Sequence, residues 1–272
     1  EVDKITGRFR RTPRAESPLL PGYEKRGLKM RKVADTFLPI HYRHPEKEQK
    51  AWQESCALID LSANGIVEVA GDVDRVRAFL KEAATADLGD VAQGTVKRSF
   101  FLNGDGEILE DAVVCGCPHD DPAREAYLIL SNPESKTLFT AWLQGLTDGY
   151  TLFDPTDAYA KVEGPVTIKD MTLEKGWRVM GLFGPKAPDA LAEAFLEIEE
   201  IKDGQQLSLK DEGIEILRSD VAGQPRIYLY VPGLIFTEKY QLLKKCDGVV
   251  ETGQDARIKA DEASGLGLWI AG

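Results

Sequence analysis

Two β-type runs, residues 95–102 and 108–115, stand on either side of Asn103-Gly104-Asp105-Gly106. Asn, Asp and Gly tolerate positive φ, which a tight reversal between antiparallel strands requires, so this stretch predicts a hairpin. A hairpin of that length demands a sheet, and a sheet needs apolar layers to cover it. The neighbouring sequence supplies them. Residues 65–69 alternate as a strand, and 72–83 carry Val73, Val76, Phe79 and Leu80 at helical spacing, with Asp72 or Asp74 placed to cap. Residues 127–130 read as a strand, and 134–146 as a helix with Leu138, Phe139, Trp142 and Leu143 on one face.

The second half repeats this order. Residues 177–183 read as a strand stopped by Gly184-Pro185, and 188–195 as a helix. Residues 213–218 and 227–231 pair about a Gly223-Gln224-Pro225 turn, and 237–245 form a helix. Two rounds of strand, helix, hairpin and helix predict an internally duplicated α+β domain. Ahead of them, Pro45, Glu46 and Glu48 suit the first turn of a helix over 45–56. Residues 1–35 scatter Pro13, Pro18, Pro21 and Gly22 among charges and read as an extended or mobile N-terminal segment, leaving 36–272 as the domain.

A chain of 272 residues, 43% hydrophobic, has material for one large core. Its formal charge of −11, spread over residues such as Glu68, Asp72, Asp74, Glu82 and Asp87, repels phosphate backbones and anionic lipid surfaces. Nucleic acid and membrane are therefore not expected as partners. With no apolar run long enough to span a bilayer and no apolar leader in residues 1–32, the chain reads as cytoplasmic. Four cysteines are too few for a secreted disulfide framework. Cys115-Gly116-Cys117-Pro118-His119 lacks the ligands of a closed zinc site and reads as a strand end entering a turn, so no metal is expected. His41, His44 and His119 suggest no hydrolase triad with a flagged Ser or Cys.

Five segments then carry a family signal: residues 52–65 (WQESCALIDLSANG), 94–111 (GTVKRSFFLNGDGEILED), 127–143, 179–187 (VMGLFGPKA) and 217–232 (LRSDVAGQPRIYLYVP). In this order and at similar spacing they resemble the folate-binding domain of the glycine-cleavage T-protein (aminomethyltransferase) family. The resemblance implies a T-protein-like folate-binding fold, tetrahydrofolate as cofactor, and a one-carbon unit moved onto N5 from a small-molecule methyl or aminomethyl donor. It also implies a catalytic Asp111, which falls on the second carboxylate of the family's Asn-x-x-Gly-Gly-x-x-Asp-Asp motif. A carboxylate near N5 suits the chemistry, because it orients the amine and stabilises developing positive charge. On an inward-facing strand, Asp111 points into the cavity and Glu110 to the opposite face. Asn132 matches the Asn that opens the family's loop before the helix, close to the pterin, and Asp87 matches a loop-fixing acid.

The chain departs from the family in three places. Arg98 stands where a Tyr is common, and its guanidinium can stack on a pterin or bind a carboxylate. The loop that gives two acids to the pterin edge reads Asp220 to Tyr228 here, leaving Gln224 and Tyr228 as the cofactor-binding replacements. Its Ala222-Gly223-Gln224-Pro225 form resembles the tetrahydrofolate-dependent aromatic O-demethylases. Lastly, the relatives' C-terminal β-barrel is expected to be absent. An exposed apolar patch at Leu266, Leu268, Trp269 and Ile270 would favour a partner subunit that supplies the barrel, and a homo-oligomer is the other partner expectation. The functional expectation is a tetrahydrofolate-dependent methyl or aminomethyl transferase or demethylase. The alternatives are a non-catalytic folate- or pterin-binding or assembly protein, and a subunit that needs a partner chain.

Overall fold

The computed structural model describes residues 16–264, apart from 43, 90, 120, 152, 153, 155, 158, 160, 161, 163 and 199. The chain opens with α1 (Leu20–Lys25), β1 (Met30–Val33), β2 (Thr36–Pro39), α2 (Pro45–Glu54) and β3 (Cys56–Asp60). The first repeat comprises β4 (Gly65–Asp72), α3 (Val73–Ala83), β5 (Val96–Leu102), β6 (Ile108–Cys117), β7 (Arg124–Ser131) and α4 (Lys136–Asp148). After β8 (Thr167–Asp170) and α5 (Met171–Glu174), the second runs β9 (Trp177–Phe183), α6 (Ala187–Ala194), β10 (Gln206–Leu209), β11 (Ile214–Arg218), β12 (Arg226–Pro232) and α7 (Gly233–Leu243). The described chain closes with β13 (Val249–Thr252) and α8 (Gln254–Ala263).

The predicted duplication is present in the topology. One sheet has the order β5-β6-β7-β4-β8 and the other β10-β11-β12-β9-β3-β13, so each repeat lays its four strands in the same order. The strand ahead of each repeat crosses to the other's sheet: β3 pairs antiparallel with β9, and β8 antiparallel with β4. This exchange ties the halves together through backbone hydrogen bonds, and no local sequence pattern announces it.

Alternation along the strands sets the layers. Val67, Val69, Val114 and Ile129 face α3 and α4, packing on Val76, Phe79, Phe139 and Leu143. Leu58, Leu182, Ile216 and Leu229 face α6 and α7, packing on Leu191, Phe236 and Tyr240. The opposite faces meet each other: Ile66, Val113 and Leu130 of the first sheet against Val179, Phe183 and Tyr230 of the second. The result is a four-layer α/β/β/α domain. No closed barrel is formed among the described residues, and the expected patch at 266–270 lies outside them.

The hairpin closes as expected. Asn103 Oδ1 accepts from the backbone N of Asp105 at 3.0 Å and of Glu107 at 2.9 Å, and Gly106 takes φ +81°. Asp72 caps α3 by accepting from Asp74 N. The N-terminal expectation is corrected for residues 16–35, while 1–15 lie outside the described residues. Tyr23 of α1 is buried and donates its hydroxyl to Asp60 at 2.8 Å; Ser17 donates to the same carboxylate. Leu19 and Val33 are buried as well, and Arg26 pairs with Glu251, so the segment is anchored although its composition is that of a loop.

Candidate functional site

The two hairpins, β5-β6 and β11-β12, face each other across the sheet interface, and their apolar packing gives way there to a cavity of about 720 Å³. That volume is the size of a small-molecule cleft. Four of the five residues singled out in sequence line it: Arg98, Asp111, Asn132 and Tyr228. The fifth does not. Gln224 is exposed, in a tight turn whose central residues Ala222 and Gly223 take φ +50° and +75°, and its N–H donates to Val221 O. That reversal carries Gln224 outside the cavity wall, beside a smaller recess shared with Trp52 and Lys259.

Asp111 and Arg98 share the inward face because the register pairs Asp111 with Phe100 and Arg98 with Val113. Arg98 donates Nε to Asp111 Oδ1 at 2.7 Å and Nη2 to Oδ2 at 2.8 Å, an arginine–carboxylate fork. The Asp111 side chain is 7% exposed, so this pair is largely withdrawn from solvent. The guanidinium thus lies edge-on to a carboxylate, and its Nη1 is buried without a partner.

Glu110 points to the other face of β6, as the alternation requires, and there meets the start of α4. Its carboxylate accepts from the backbone N of Asp111 at 3.0 Å, from Asn132 N at 3.2 Å, from Asn132 Nδ2 at 2.7 Å and from Ser135 Oγ. Burial outweighs these donors and pushes the Glu110 carboxyl up from its ordinary 4.5 to about 7. The contacts also fix the Asn132 amide. Its nitrogen is taken up by Glu110 and by Asp111 O at 3.3 Å, which leaves Oδ1 as the end that can accept.

Sequence reasoning missed several wall residues. Arg226 is buried over the packed rings of Trp52 and Phe183 and donates to Asp261 of α8 at 2.7 Å, so α8 forms one wall. Asn64 and Ser131 also line the cavity, and each holds a buried oxygen, Asn64 Oδ1 and Ser131 Oγ, without a hydrogen-bond partner. Their common signal is a polar residue inside an apolar strand or turn, which in sequence looks the same as a surface position. Asp87 behaves as a loop-fixing acid, accepting from Gly89 N at 3.1 Å. Cys115 and Cys117 lie at the end of β6 with their sulfurs 3.9 Å apart.

The model of the GCVT N-terminal domain matches residues 20–216. The chain belongs to that family. It is similar to an aminomethyltransferase of Chlorobaculum parvum, 28% identical over 175 residues, covering 64% of this chain and 42% of that protein. It is also similar to an aminomethyltransferase of Cutibacterium acnes, 25% identical over 246 residues, covering 85% and 59%. The chain thus spans about half the length of these curated relatives. Its fold matches the crystal structure of glycine cleavage system aminomethyltransferase T from Bartonella henselae, with a TM-score of 0.76 at 22% identity over 93% of this chain and 63% of that one. The T-protein-like fold expected from sequence is therefore established. No helix among the described residues is long and apolar enough to cross a membrane.

Proposed function

We propose that this family member transfers a one-carbon unit, methyl or aminomethyl, from a small-molecule donor to tetrahydrofolate bound in the inter-sheet cavity. The observation that carries the reading is the convergence of Arg98, Asp111, Asn132 and Tyr228 on one cavity of about 720 Å³ within this family's fold. The residues present fit the cofactor. A heterocycle with both donor and acceptor edges suits a wall holding the unpartnered buried atoms Asn64 Oδ1, Ser131 Oγ and Arg98 Nη1. When bound, tetrahydrofolate supplies a secondary amine, N5, as the acceptor of the one-carbon unit.

In this reading Asp111 orients the reacting amine and stabilises positive charge that develops on it. Arg98 holds the Asp111 carboxylate in one direction and offers Nη1 to a carboxylate on the donor molecule. Asn132 presents an acceptor oxygen, and Tyr228 a hydroxyl, to the ligand. Glu110, whose oxygens accept from Asn132 and Ser135, positions Asn132. The test is a transfer assay on the purified chain with tetrahydrofolate and a panel of N-, O- and S-methyl carboxylic acids and aminomethyl donors. Asp111→Ala is expected to retain cofactor binding and lose transfer; a variant that transfers normally refutes the assignment.

One observation favours a second reading. Both Asp111 oxygens are occupied by Arg98, which suits a binding protein that holds a folate or pterin without reacting. Tight cofactor binding with no transfer from any donor, alone or with added partner protein, selects that reading.

A further inference from the structure

Resting on the tetrahydrofolate reading, we propose that Asn64 is a specificity-determining residue, whose side-chain oxygen accepts an N–H of the bound heterocycle in place of a carboxylate. The carboxylates that line the cavity are already spoken for where they are buried. Asp111 is held by Arg98, Glu110 by Asn132 and Ser135, and Asp261 by Arg226; Glu134 and Glu262 are exposed at the mouth. Gln224, the replacement that the loop comparison suggests, lies outside the wall. A heterocycle edge rich in N–H donors therefore needs another buried acceptor.

Asn64 supplies one on a rigid support. It ends the turn between β3 and β4, where Asn64 N donates to Leu61 O at 2.9 Å and Leu61 N to Val179 O at 3.1 Å. Lys136 Nζ donates to Ala63 O at 3.1 Å, tying the same turn to α4. The Asn64 amide nitrogen donates to Ser131 O at 3.0 Å, which sets the amide so that Oδ1 is the free end. That oxygen is buried, has no partner, and belongs to a residue lining the cavity. A buried acceptor on a fixed turn is a cost to the fold unless a ligand satisfies it.

The placement adds to the argument. Arg98, Val113, Leu130 and Ile66 are directly paired neighbours across four strands, and Asn64 lies two residues before Ile66. At about 4.8 Å per strand, the backbones of Arg98 and Ile66 stand about 14 Å apart, with the apolar Val113 and Leu130 between them. The cavity floor thus has a cation at one end, an amide acceptor at the other and an apolar centre. A flat heterocycle with one edge on Asn64 extends over the apolar centre toward Asp111, and an anionic group of the donor fits at the Arg98 end.

The experiment is calorimetric titration of the full chain and its Asn64→Leu and Asn64→Asp variants with tetrahydrofolate, with thermal unfolding of each as a folding control. Both variants lose the amide bond to Ser131 O, but only Asn64→Asp keeps an acceptor oxygen. The expected result is binding about five- to tenfold weaker in Asn64→Leu and near parental in Asn64→Asp, the loss of one neutral hydrogen bond. Equal weakening in both variants overturns the proposal, because it assigns Asn64 to the Ser131 contact alone. Parental binding by Asn64→Leu overturns it too and leaves the tetrahydrofolate reading standing. No binding by the parent chain removes that reading and this inference together.

Discussion

Replacing Glu110 by Gln tests the electrostatics beside the cavity. Glu110 is 2% exposed and its carboxyl is pushed up from 4.5 to about 7 by burial. A carboxyl whose folded value is raised binds its proton more tightly in the folded state than in the unfolded one. Its stabilising contribution is therefore complete below about pH 4.5 and is lost as pH rises through about 7. The interval corresponds to about 3 kcal/mol. Gln is nearly the same shape, can accept from Asn132 through its oxygen and can donate to Ser135 Oγ, and does not ionise. Urea denaturation of parent and variant at pH 5 and pH 8 isolates the effect as a difference between two curves. Equal stability at pH 5 and a variant more stable by up to about 3 kcal/mol at pH 8 are expected. A variant less stable at pH 8 would refute the reasoning, and would mean that the α4 N-terminus and its N–H donors hold Glu110 ionised.

Other perturbations follow from the same geometry. Arg98→Met leaves the buried Asp111 carboxylate without its fork, and since Arg98 is itself 28% exposed the expected cost is about 2 kcal/mol, read by urea denaturation. Asp60→Ala removes the acceptor for Ser17 and Tyr23; trypsin is expected to cut at Lys25, Arg26 or Lys29 faster than in the parent, and an unchanged digestion rate contradicts the anchoring role. Gly181→Ala puts a Cβ 2.6 Å from Phe183 Cζ and 2.9 Å from Ile59 Cγ2 in the sheet interface. An overpacking cost of about 1–3 kcal/mol is expected, seen as a lower Tm.

What the sequence made legible was local. The Asn103–Gly106 reversal, the alternation of 177–183 and the helical spacing of 72–83 each depend on neighbours in the chain, and each element is where the pattern puts it. The duplicated order of elements followed from reading those signals twice. The exchange of β3 and β8 between the sheets did not, because pairing between strands so distant in the chain leaves no periodic trace. Cys56–Asp60 is buried at every position and so lacks the alternation that marks a half-buried strand. Residues 16–35 looked loose because what holds them is scattered and long-range: Ser17 and Tyr23 on Asp60, and Arg26 on Glu251. Within the site, alternation correctly split Glu110 from Asp111. It could not say that both are buried, nor that the Ala222-Gly223 turn takes Gln224 out of the cavity. Asn64 and Ser131 went unseen because an amide or hydroxyl at a strand end carries no sign of burial.

The central claim is that the inter-sheet cavity holds tetrahydrofolate. Direct calorimetric titration of the purified chain with that cofactor tests it. Saturable one-site binding at micromolar affinity is the predicted result, and no detectable binding at millimolar cofactor would contradict the account.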